Sequence, residues 1–352
     1  MKKHWWKALS VLIVLYTIIA GLIIPLKPGI LKIKQSGLNT GQIITAEVNT
    51  YNTRYENGDK LDAYLKINDK VKLYSSSSKI LGKEKVELTF DVPAYLPQVK
   101  SFDYTLILVD PKHGPFVRPS AITLKQDKVD IEQALATWPK QNEIPLKFID
   151  GIKFPFRTIL YESIRNTFYH VPMWFAMVFI LFAAMWYSIR YLVKPVFRFD
   201  IAARSLTSIG VILGILGCLT GSVWAKGTWG TWWTFQEIKL NVSAIALLIY
   251  FAYFILRSAI QDEEQKARVA SVYNIFAFVA MVPLLFVVPR MVASSLHPGN
   301  GGNPGFGGED LDNTLRMVFY PAIIGWTLFS FWLAELLYRY QLLQEKMDEE
   351  FD

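Results

Sequence analysis

Six apolar runs, each about as long as a bilayer crossing requires, constrain this chain more than any other feature. They are Trp5–Ile24, Phe168–Leu192, Ile201–Trp224, Leu240–Leu256, Val269–Val288 and Met317–Tyr338. Inside hydrocarbon every backbone N–H and C=O must find a partner within the segment, so each run is read as a helix. A 52% hydrophobic share over 352 residues agrees with a polytopic membrane protein and argues against an ordinary soluble enzyme. The first run follows MKKH and ends at Pro25, Lys27 and Pro28 without a small-residue cleavage signal. Residues 1–26 therefore read as an uncleaved anchor.

Charge sets the orientation. With the N-terminus in the cytoplasm, the inner segments hold Lys2, Lys3, Lys7, Arg190, Lys194, Arg198, Arg204, Arg257, Lys266, Arg268, Arg339 and Lys346. The short outer loops hold only Lys226, Lys239, Arg290 and Arg316. Both termini are then expected in the cytoplasm, with 341–352 as an inner tail. The net charge of +7 is dispersed, and no basic helix or RNA motif accompanies it, so nucleic acid is not an expected partner. The single cysteine, Cys218, excludes an intramolecular disulfide and reads as a small core residue.

Residues 27–131 have another character. QIITAEVNTYNT, LDAYLKI, KVKLYSS, KVELTFDV and FDYTLILVD alternate with period two, and ENGD, SSSS and PKHGP punctuate them as turns. They predict an all-β domain, an immunoglobulin-like sandwich, inserted on the extracytoplasmic side. His113, in PKHGP, is expected to be solvated. Residues 132–167 read as an irregular linker ending in an interfacial helix (RTILYESIR). The remaining five spans, 168–340, form a membrane domain with a Trp-rich loop at 224–239.

That loop begins WAKGTWGTWW. Interfacial belts scatter their aromatic rings; here Trp224, Trp229, Trp232 and Trp233 crowd one outer segment. A flat apolar shelf suits a flat apolar ligand such as a porphyrin. Two of the four histidines, His170 and His297, share the outer side with this loop, and imidazole nitrogen suits haem iron.

GSVWAKGTWGTWWTF resembles the tryptophan-rich signature of the haem-handling proteins of cytochrome c biogenesis. YHVPMW and SLHP resemble the two histidine motifs of the CcmC family, within the wider CcmC/CcmF/CcsA superfamily. The resemblance covers roughly Phe156–Tyr338. It implies non-covalent haem b, held at the outer face of the bacterial inner membrane by His170 and His297 as iron ligands. The tryptophans would form the platform and a docking surface for a membrane-tethered, CcmE-like haem chaperone. The implied partners include CcmA/CcmB-like ABC transporter subunits, a small CcmD-like subunit and membrane lipid.

Two features depart from the family pattern. TFQEIKL stands where the family has an aspartate, leaving Glu237 and Lys239 as the nearest acid and base. Glu237 is a candidate site residue whose plain alternative is pairing with Lys239. Lys239, Lys226 or Arg290 are candidates to meet a haem propionate. The inserted β domain, which would lie in the periplasm, is the other departure. The rival readings are a system II (CcsA-like) haem-handling protein, a non-haem secondary transporter, and an anchored extracytoplasmic binding domain. No Ser-His-Asp set, metal-hydrolase motif or phosphate loop is visible, so no enzyme is expected.

Overall fold

The computed structural model describes residues 4–56, 58–67, 71–97, 101–137, 151–158, 160–292, 295–297 and 311–351. Lys2 and Lys3, residues 138–150 and 159 of the 132–167 linker, and Pro298 of SLHP lie outside them. Helix α1 spans Trp5–Ile23; eight strands and a short helix α2 (Ile131–Thr137) follow. A 3-10 helix at Tyr161–Phe168 leads into α3 (Val171–Val193), α4 (Phe197–Trp229), α5 (Ile238–Ala259) and α6 (Glu263–Phe286). A second 3-10 turn at Val288–Met291 precedes α7 (Asn313–Phe351). The chain divides into two compact units, Pro25–Tyr161 and the remainder.

The Pro25–Tyr161 unit is antiparallel β. Its strands are β1 (Gly29–Gln35), β2 (Ile43–Tyr51), β3 (Asp62–Lys66), β4 (Lys72–Tyr74), β5 (Ser77–Gly82), β6 (Lys85–Asp91), β7 (Ser101–Asp110) and β8 (Gly114–Lys125). They form two four-stranded sheets, ordered β1-β2-β6-β5 and β4-β3-β7-β8. Alternation explains the core: Ile44, Ala46 and Val48 of β2 are buried and meet Val86, Leu88 and Phe90 of β6 across the ladder. Residues from both sheets join one apolar cluster. The sequence missed β1, β5 and β8; β5 starts inside the SSSS stretch read as a turn. His113 corrects another expectation. Its Nδ1 lies 2.6 Å from the buried Asp110 carboxylate, because the turn between β7 and β8 folds the ring back onto its own start.

Among the described residues, the membrane unit contains six helices long and apolar enough to cross a bilayer. Among them α3 packs on α4, α6 and α7, while α1 packs on α7. Glycines let α4 come close to its neighbours: a Cβ on Gly210 would fall 2.5 Å from Leu181, and one on Gly214 2.8 Å from Met177. Polar groups tie the same interfaces. Asn274 of α6 donates to Ser188 of α3 and Thr207 of α4, both at 3.1 Å. Arg257, one of the positive charges counted on the inner side, is paired inside the fold. It makes a two-pronged bond to Asp200, at 2.6 and 2.5 Å, and both residues are buried. A buried charge is tolerated only when paired this way. The segment read as an inner tail is the helical continuation of α7 to Phe351. In the segment read as an amphipathic interfacial helix, the 3-10 helix Tyr161–Phe168 buries Ile164 and Phe168, and its Arg165 is hydrogen-bonded to the carbonyls of Gly21 and Ile24 at the end of α1.

Candidate haem site

His170 is placed by local chemistry. It precedes α3 directly, with Pro172 in the first helical turn, where a missing N–H costs no helical bond. The imidazole lies in a notch on α4. A Cβ on Gly221 would stand 2.7 Å from its Cε1, and one on Gly217 2.8 Å from the Trp174 ring. His170 Nδ1 is 2.9 Å from the Gly217 carbonyl. A carbonyl only accepts, so Nδ1 carries the proton, and Nε2 keeps its lone pair.

His297 reaches the same place from the far end of the chain. Its ring lies 5.0 Å from that of Trp229 and 5.7 Å from that of Trp224; those two rings meet edge to face at 5.1 Å. Trp224 also donates its indole N–H to Ser163 at 3.2 Å. His297 Nδ1 faces the Glu237 carboxylate at 3.4 Å, long for a hydrogen bond but close for an ionic contact. Both imidazoles line one cavity of about 240 Å³ with Trp174, Cys218, Lys239 and Phe286.

The Trp-rich stretch is only partly a loop. Helix α4 continues through Trp224 to Trp229 and stops at Gly230, whose φ of +79° is the left-handed conformation of a helix end. The loop proper is short, and α5 begins at Ile238. Trp224 and Trp229 gather around His297. Trp232 is exposed, and among the described residues neither its ring nor that of Trp233 stacks on a histidine. Lys226 donates to the Gly230 carbonyl at 2.9 Å, capping α4, and Arg290 donates to the Phe286 carbonyl at 2.9 Å. Of the three candidate cations, Lys239 is the one that lines the cavity.

Glu237 is 1% exposed and spends its carboxylate on protein groups. It accepts from Ser295 Oγ at 2.8 and 3.0 Å, from the Leu296 N–H at 2.7 Å and from the Lys239 backbone N–H at 3.2 Å. Its partner at Lys239 is thus the backbone amide, which places an anion at the N-terminus of α5. Burial alone would raise this carboxyl; the contacts from His297, Ser295 and Leu296 outweigh it and hold the pKa at about 2.

The family comparison accords with this geometry. The family model described as heme exporter protein C, CcmC, matches residues 157–351, more than half of the chain. The chain belongs to the CcmC family. Heme exporter protein C of Bradyrhizobium diazoefficiens is 26% identical over 186 residues, spanning 53% of this chain and 69% of the relative. That of Haemophilus influenzae is 26% identical over 154 residues, 44% of this chain and 61% of its own length. The Escherichia coli K12 protein is 24% identical over 131 residues, 37% and 51% respectively. The CcmC match begins after nearly all of the β unit, so that unit stands outside the family region.

Sequence reasoning missed Trp174, Gly217, Gly221 and Ser295. The two glycines carried a signal: residues 210, 214, 217 and 221 recur at helical spacing and mark one face of α4. Trp174, four residues after His170, lies one turn along the same face. Ser295 had none, since only the tertiary fold brings it to Glu237.

Proposed function

We propose that this CcmC-family protein holds haem at the extracytoplasmic face of the bacterial inner membrane and passes it to a haem chaperone for cytochrome c maturation. The observation that carries this reading is the pair of imidazoles on one cavity: His170 Nδ1 is bonded to the Gly217 carbonyl, which leaves its Nε2 lone pair free, and His297 Nδ1 faces the Glu237 carboxylate at 3.4 Å. Acceptors that face the non-ligating nitrogen orient metal-binding histidines and raise their basicity. Haem b is the cargo, bound without a covalent link, with His170 and His297 as its iron ligands. Lys239 is the cation placed to meet a propionate. Pockets that enclose drug-sized ligands span roughly 300–1,000 Å³. The cavity of about 240 Å³ lies near the lower end of that range. Trp224 and Trp229 steady the His297 side, and Trp232 and Trp233 extend the platform.

The reading includes both termini in the cytoplasm and CcmA/CcmB-like and CcmD-like partners. The β unit then lies in the periplasm. Its strand orders match those of an immunoglobulin-like sandwich with an added edge strand, which supports that reading of the insert. No catalytic step is assigned to the chain.

The test is an absorption spectrum of detergent-purified protein, oxidised and reduced. Low-spin bands of a bis-imidazole haem are expected, with haem lost or its bands altered in His170→Ala and in His297→Ala. A spectrum left unchanged by both substitutions overturns the assignment.

A further inference from the structure

The two imidazoles are anchored by different means. His170 is fixed by helix packing: it begins α3 and fits the Gly217–Gly221 notch of α4. His297 stands beyond the 3-10 turn; its own N–H bonds to Ser295 Oγ at 3.1 Å, and the hydrogen bonds of its segment to the rest of the fold, among the described residues, run to one group. Ser295 Oγ and the Leu296 N–H both donate to the Glu237 carboxylate, and His297 Nδ1 faces it at 3.4 Å. Glu237 does not line the cavity.

We infer that Glu237 is a latch for His297, a positioning residue that keeps this imidazole in ligating position and is coupled to the exposed loop before it. The inference rests on the two-histidine reading above. Glu237 ends the loop that carries Trp232, 57% exposed, and Phe235, 85% exposed. The Phe235 carbonyl accepts from Asn241 Nδ2 at 2.7 Å, and the Glu237 N–H donates to the Thr234 carbonyl at 3.3 Å. The loop and the first turn of α5 are thereby joined on either side of the latch. A partner that binds the two exposed rings, the residue type that anchors protein interfaces, pulls on the backbone next to Glu237. When the carboxylate shifts, Ser295, Leu296 and His297 lose their acceptor together. The bond between iron and His297 Nε2 then breaks, and its electron pair returns to the nitrogen. A Lewis-basic side chain of the acceptor protein takes the vacated position. No proton or electron is transferred, and His170 retains the cargo until the exchange is complete.

The full chain, purified with haem, tests this in four variants. Glu237→Ala is expected to convert the low-spin spectrum to a five-coordinate one, as His297→Ala does, with added imidazole restoring the low-spin bands in both. The double variant Glu237→Ala with His297→Ala is expected to match His297→Ala alone, since one residue acts through the other. Phe235→Ala, at an exposed ring outside the haem site, is expected to keep the low-spin spectrum while transfer to an acceptor falls, and unchanged transfer counts against the coupling. A low-spin spectrum in Glu237→Ala, where His297→Ala has lost it, overturns the latch and leaves the two-histidine site standing. Haem loss in Glu237→Ala that imidazole does not reverse also overturns it, because that is the mark of a merely structural role. An unchanged spectrum in His297→Ala overturns the two-histidine site itself.

Discussion

Adding one methyl group at Gly221 tests whether the α4 notch positions His170. In Gly221→Ala the new Cβ would stand 2.7 Å from His170 Cε1 and 3.3 Å from Nδ1. Carbon–carbon contacts settle near 3.5–4.0 Å, so the ring must recede by about 0.8–1.3 Å. Metal-ligand distances tolerate about 0.2 Å, so the displacement is several times what a shared iron site can absorb. The stability balance is closer. Alanine gains about 1 kcal/mol over glycine inside a helix, whereas overpacking costs about 1–3 kcal/mol. The net effect is a loss of roughly 0–2 kcal/mol, small enough for the protein to fold. Gly227→Ala is the control, because nothing lies within 4 Å of a Cβ there. It receives the helical gain alone. The assay is haem content and spectrum after purification, paired with thermal unfolding in detergent. Gly221→Ala should fold and lose the bis-imidazole bands; Gly227→Ala should keep both haem and stability. Wild-type haem content and bands in Gly221→Ala would refute the claim that this notch sets the ligand.

Three further outcomes are expected. Asp200→Ala strands a buried guanidinium and should cost about 3–5 kcal/mol, most of it recovered by adding Arg257→Leu; equal melting temperatures for the single variant and wild type would refute this. Trp229→Ala removes the ring 5.0 Å from His297, and the loss of about 0.5–1.5 kcal/mol should weaken haem binding by roughly 2–10-fold in a titration. In the β unit, the Lys112 ammonium and then the Glu56 N–H hold the Asp59 carboxyl below its ordinary 3.8. Its contribution to stability is therefore present above that value and lost as pH falls through the folded pKa; Asp59→Asn should flatten the acid limb of the melting curve, and an unchanged limb counts against it.

Much of the architecture was legible because hydrophobic periodicity is local. The six apolar runs became six long helices, and β2, β3, β4, β6 and β7 fall within the alternating stretches that predict them. β5 was hidden because serines read as turn residues, and α7 outran its apolar run because polar residues continue a helix once it has left the hydrocarbon. The pairing of Arg257 with Asp200 was not legible, because the two lie 57 residues apart. His170, His297 and the tryptophans could be nominated from residue type and a shared side of the membrane.

By itself the sequence determined which segments seek lipid, which alternate into sheets, and which few residues have the chemistry to hold a porphyrin. Those properties belong to single residues and near neighbours. The fold alone decided that Gly221 makes room for His170 and Gly217 for Trp174, that Trp224 and Trp229 but not Trp232 gather at His297, and that Glu237 grips Ser295 and Leu296. Each of these is a contact between helices or loops far apart along the chain, and no local pattern specifies such a contact before the helices pack.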